Sequence, residues 1–186
     1  AGDTVELTVS SESAKYAGYE TRKMYAGGNY AYCVQPSKKT PQSGTYEKHY
    51  DVENYVSNAG DETQAVQSRN LAYYCWGAPG FNASYFPSTW YDGSAMDDDK
   101  YIALSHIMLS FLVSYDEVGS MHGCNSSFKN WVYQNVLGYN ANGDLVNGQA
   151  TLPILCWSAA PASFKVYILS TGSATQNILG YEYTPT

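Results

Sequence analysis

Four cysteines, three histidines and a late glutamine are the residues in this chain whose chemistry is hardest to pass over. Cys33 lies in "NYAYCVQP", between aromatic and small residues, with turn-forming residues directly after it. Cys75 in "LAYYCWG" and Cys156 in "LPILCWS" lie in apolar runs and read as buried small hydrophobes. Cys124 falls in a turn-like "GCNSS". No C-x-x-C occurs, and "HGC" at 122–124 is too tight for a zinc-ligand pair, so neither a metal nor a cofactor is implied. A chain of 186 residues can build its core without disulfide staples, so disulfides are permitted but not required.

A cysteine beside a glutamine side chain can attack the carboxamide, expel ammonia and leave an intramolecular thioester. The thiol must reach the carbonyl at near-attack distance, a donor must stabilise the oxyanion, and water must be held off. Tyr30 and Tyr32 are candidates for the aromatic walls that exclude it. Gln35 is two residues from Cys33, but "CVQ" is not the Cys-x-x-Gln spacing of complement-type thioesters. Gln42 and Gln64 fall in a loop and at a helix start and read as solvated. Gln176, on a late strand inside the apolar motif "ATQNILG", is the stronger acyl donor.

Positioning these residues requires strands at both ends of the chain. "TVELTVS" (4–10) and "NYAYCV" (29–34) read as strands, and "QPSKKTPQSGTY" (35–46) as a turn-rich loop. The period then changes to helical in "DETQAVQSRNLAYYCWG" (61–77), "DDDKYIALSHIMLSFLVSY" (97–115) and "NSSFKNWVYQNVLGY" (125–139). Acidic residues open the second, and Asn125 and Gly138 cap and stop the third. "TLPILCWS", "SFKVYILS" and "TQNILGYEYT" read as strands again. The expected fold is one α+β domain over 1–186. A β-sandwich or barrel-like lobe (about 1–58 and 148–186) receives an inserted lobe of about three helices (about 61–140).

Composition narrows the partners. A net charge of −7 with only ten Lys and Arg leaves no basic face for nucleic acid or an anionic membrane. No run of 18 apolar residues spans a bilayer, and "YIALSHIMLSFLV" (101–113) reads as a core helix. Nineteen tyrosines suit strand packing and also extracellular contact surfaces.

Four motifs in order resemble the thioester domains of Gram-positive surface adhesins and pilus-tip proteins. "YAYCVQP" is similar to that family's cysteine motif and "ATQNILG" to its glutamine motif. "LAYYCWGAPGF" resembles its helix ending in Tyr-x-Gly-x-Pro-Gly, and "IALSHIMLSFL" its central helix, so the likeness runs from about residue 16 to the end. It implies Cys33 as the thioester thiol and Gln176 as the acyl donor. It also implies single-turnover covalent capture of a host protein lysine or small amine, not catalysis. A cell-wall-anchored, extracellular setting follows, with the chain a monomeric part of a longer polypeptide whose anchor lies elsewhere. Many members carry Thr-Gln where this chain has Ser105-His106. A histidine there is expected either to shuttle protons for the thiol or amine, or to bond a backbone carbonyl in the core.

Two other readings stay open. "YFPSTWYDG" carries Tyr85, Phe86, Trp90 and Tyr91, an aromatic loop of the kind that stacks on sugars or peptides, and supports a non-covalent binding module. A cysteine hydrolase would pair Cys33 with His49, His106 or His122, although no local signature of such an enzyme surrounds any cysteine.

Overall fold

The computed structural model describes residues 3–16, 19–114, 121, 123–140 and 142–184. Six antiparallel strands close into a barrel: β1 (Thr4–Tyr16), β2 (Tyr19–Ala26), β3 (Asn29–Cys33), β4 (Gly44–His49), β5 (Phe164–Leu169) and β6 (Ile178–Tyr183). Their order around it is β1-β2-β3-β6-β5-β4, with β4 returning to β1. A register shift between Val9 and Ser13 marks a bulge in the long first strand. Such a bulge bends a strand and sharpens its twist, as closure requires.

Strand alternation sorts the core into two compartments. Leu7, Met24, Ala31, Cys33, Tyr167, Leu169 and Ile178 pack together inside the barrel. Tyr30, Tyr32, Val34, Val166, Ile168, Leu179 and Tyr181 point the other way and join the helices in the larger core. The helices are α1 (Glu62–Tyr73), α2 (Asp98–Ser114), α3 (Ser126–Val132) and α4 (Thr151–Cys156). Every residue of α2 from Ile102 to Val113 is buried, so it runs through the core as a central rod.

Local chemistry explains where the helices begin and end. Asp61 Oδ1 accepts the Gln64 N–H at 3.0 Å, Asp97 Oδ1 the Lys100 N–H at 3.0 Å, and Asn125 Oδ1 the Phe128 N–H at 2.8 Å. Beyond α3 the chain makes a π-turn through Tyr133–Leu137 and stops at Gly138, whose φ is 72°. A Cβ at Gly138 would come within 2.3 Å of Asn147 O, so glycine is required there twice over.

Three expectations are corrected. "TLPILCWS" forms α4 rather than a strand. Pro153 falls in its first turn, where a missing N–H breaks no helical bond, and a six-residue apolar run carries little period of its own. The 35–46 stretch yields strand β4 from Gly44 onward, and β2 is a full strand between β1 and β3. Gln64 is buried, not solvated: its Nε2 donates to Leu112 O at 2.8 Å and Val113 O at 3.2 Å, closing the end of α2.

Candidate functional site

β3 ends at Cys33, β6 begins at Ile178, and these two residues are paired across the ladder. Continuing that register by two sets Gln35 opposite Gln176. Reciprocal contacts occur at that point: the Gln35 N–H donates to Gln176 Oε1 at 3.3 Å, and the Asn177 N–H donates to Gln35 Oε1 at 2.8 Å. Cys33 and Gln176 are thus diagonal neighbours, a relation that puts Cβ atoms about 7–8 Å apart or somewhat less. A thiol and a glutamine carbonyl carbon both extend from Cβ, so their reach covers that separation.

The acyl side is fixed by its own backbone. The Gln176 N–H donates to Lys39 O at 2.9 Å, and the Thr171 hydroxyl donates to Gln176 O at 2.7 Å. Lys39 and Thr175 form an isolated parallel bridge. The loop after β3 therefore lies across Gln176 and shields it, and Cys33 and Gln176 are both buried, at 4% and 5% exposure.

α2 fixes the thiol side. The Ser110 hydroxyl donates to Cys33 O at 3.2 Å, the Ser105 hydroxyl accepts the Trp76 N–H at 3.0 Å, and the Tyr30 hydroxyl meets His106 Nε2 at 2.9 Å. The loop after α1 completes the frame. Tyr32 donates to Trp76 O at 2.6 Å, and Tyr181 donates to Gly77 O at 2.9 Å. Gly77 has φ 87°, and a Cβ there would come within 2.8 Å of Tyr30 Cβ. The glycine of "CWGAPG" is what lets this loop press against β3.

Electrostatics set the resting state. Burial pushes the Cys33 thiol up to about 12, opposed by a hydrogen bond from Thr21. Burial pulls the His106 imidazole down to about 3, so it is neutral at ordinary pH. Its Nδ1 is buried with no hydrogen-bond partner among the described residues.

The expected site residues thus divide. Cys33 and Gln176 lie as diagonal neighbours at one end of the β3–β6 ladder. Tyr30 and Tyr32 lie on the helix-facing side of β3, where both rings pack edgewise on His106 at 5.8 Å. Water is kept from the thiol instead by the barrel residues Ala31, Met24, Leu169 and Ile178. No hydrogen bond among the described residues joins a histidine to Cys33; His49 packs on Tyr55, and His122 lies outside the described residues. Tyr85 is 44% exposed and can meet a ligand. Trp90 cannot as placed: it is buried against Phe128 and Trp131, with ring centroids 5.1 and 5.4 Å away.

None of the four cysteines is in a disulfide. Among the described residues no three His, Cys, Asp or Glu side chains converge as metal ligands. The contacts that sequence reasoning did not foresee are those of Gln35 with Gln176 and Asn177, and those of Ser105 and Ser110 in α2. Their signals were the proline after Gln35 and hydroxyls inside an apolar helix.

A family model described as thioester domain matches residues 4–142. The chain belongs to the thioester domain family. The matched stretch contains Cys33 and His106 and stops short of Gln176. Among solved structures, this thioester domain is similar to the N-terminal domain of the Streptococcus pyogenes pilus tip adhesin Cpa, with a TM-score of 0.53 and 18% identity. That likeness covers 97% of this chain and 94% of the other, and at such identity it speaks to the fold. No curated protein matches the chain.

Proposed function

We propose that this thioester domain is an adhesin module that joins Cys33 Sγ to the side-chain carbonyl of Gln176 and transfers that acyl group to an amine. The observation that carries the reading is the Gln35 N–H aimed at Gln176 Oε1 at 3.3 Å, beside the Cys33–Ile178 pair. An N–H so placed stabilises the oxyanion that forms when sulfur adds to the carboxamide. Collapse expels ammonia, which carries away the thiol proton, and leaves the thioester. A primary amine then adds to the same carbonyl; sulfur departs as the thiol, and Gln176 ends as a substituted amide. The acyl group is consumed, so each molecule acts once.

The target is a lysine of a host protein or a small amine, and the setting is a bacterial cell surface. The pilus-tip origin of the similar fold supports that setting, and the acidic chain with its exposed Tyr85 and Trp157 is compatible with contact at an extracellular face. His106 serves the site through Tyr30, which it anchors, and not by touching sulfur.

Intact mass tests the proposal. Native protein should be lighter than its sequence mass by one ammonia, and Cys33→Ala and Gln176→Ala should each restore the full mass. Methylamine should add once and free one thiol. Freshly purified native protein at full sequence mass and inert to methylamine would overturn the reading, in favour of non-covalent binding.

A further inference from the structure

The proposed chemistry asks for an acyl group held still at the place where a strand pair comes apart. Pro36 takes the chain away from β6, and the Gln35 carbonyl turns to accept the Lys38 N–H at 3.0 Å. A continuing ladder would have offered a main-chain carbonyl to the next N–H on the β6 side. Here the Gln35 side chain takes that part, its Oε1 accepting the Asn177 N–H at 2.8 Å. The main-chain N–H of Gln35, which strand alternation leaves without a β6 main-chain partner, meets Gln176 Oε1.

We infer that the Gln35 side chain is a clasp that positions Gln176 for acyl transfer, an assignment that rests on the thioester reading above. Three anchors hold the Gln176 backbone: Lys39 O on its N–H, the Thr171 hydroxyl on its carbonyl, and Gln35 Oε1 on the following N–H. The third comes from Gln35, two residues past Cys33, where the Val34 N–H also donates to Asn177 O at 3.3 Å. It ties the acyl residue to the chain directly after the nucleophile, while Lys39 lies further along that same connection and Thr171 lies between β5 and β6. A displacement of about 1 Å at a reacting centre can cost on the order of a hundredfold in rate. The clasp also keeps the oxyanion donor in line, because both contacts originate on one residue.

The test compares refolded wild type, Gln35→Met and Gln35→Glu. Methionine matches the length of glutamine without its strong acceptor, and glutamate keeps an acceptor oxygen. Ammonia loss is followed by intact mass, bond lifetime by the return of full mass in water, and folding by circular dichroism and thermal midpoint. Gln35→Met is expected to fold normally yet form the bond about tenfold more slowly, or lose it about tenfold faster. Gln35→Glu is expected to recover most of that loss. A methionine variant that forms and keeps the bond like wild type overturns the clasp alone, as does a glutamate variant no better than methionine. A wild type at full mass and inert to methylamine overturns the thioester reading and the clasp with it.

Discussion

The Gln35 N–H and Gln176 Oε1 are 3.3 Å apart, although 141 residues of chain separate the two positions. That contact polarises one particular glutamine carbonyl in the neighbourhood of one particular thiol. Its neighbours on either side are held by ordinary ladder and loop bonds, so the polarised group stands apart.

The thiol itself is a poor nucleophile at rest. Burial, opposed by Thr21, pushes it up to about 12, so below that value its thiolate fraction grows about tenfold per pH unit. Bond formation in refolded wild-type protein should therefore accelerate by about that factor per unit between pH 6 and pH 9, read by acid quenching and intact mass. A plateau near pH 8 would show a thiol of ordinary acidity.

His106 makes an acid-dependent contribution that can be isolated. Desolvation holds the folded imidazole neutral down to about pH 3, whereas the unfolded chain takes up its proton near 6.5. The unfolded state binds more protons across that window, so stability falls as pH drops through it, by about 1.4 kcal/mol per unit. Urea unfolding of wild type and His106→Gln should diverge by about 2 kcal/mol between pH 7 and pH 5, in favour of the variant. Parallel curves would place the charge change elsewhere.

Gly77→Ala should destabilise the domain by about 2–3 kcal/mol. Its φ of 87° strains any side chain, and the new Cβ meets Tyr30 Cβ at 2.8 Å. Denaturant titration measures the loss; a change under 1 kcal/mol would mean that the 76–77 loop yields more readily than its two tyrosine bonds imply.

Trp90 and Tyr85, five residues apart in one aromatic loop, should respond in opposite ways. Trp90→Ala removes a ring packed on Phe128 and Trp131 and is expected to cost about 3–5 kcal/mol. Tyr85→Ala, with 44% of its surface in solvent, should stay within about 1 kcal/mol of wild type. Equal losses would contradict the burial difference.

Much of this architecture was legible because it is written in local chemistry. The acidic opening of α2, Asn125 before α3 and Gly138 after it each mark a helix end through a backbone group that needs a partner. That the early and late strands share one sheet system followed from element order, and it is what places Gln176 on the strand side next to Cys33. What escaped was decided by tertiary partners. The apolar run of α4 has no period that separates strand from helix, and Trp90 is buried by residues some 40 positions away. The side-chain role of Gln35 depends on an N–H of Asn177, which no neighbour of Gln35 in the chain announces. Alternation did place Tyr30 and Tyr32 opposite Cys33 in facing, a consequence that the word "strand" already carried.

Closure of the barrel also sets a timetable. β3 is made well before its partner β6, and Gln176 follows Cys33 by 143 residues. At about 5–20 residues per second, synthesis leaves the cysteine waiting for roughly 7–30 s before its glutamine exists. The proposed bond can therefore form only after β6 has been made, and a molecule truncated before β6 would keep Cys33 as a thiol.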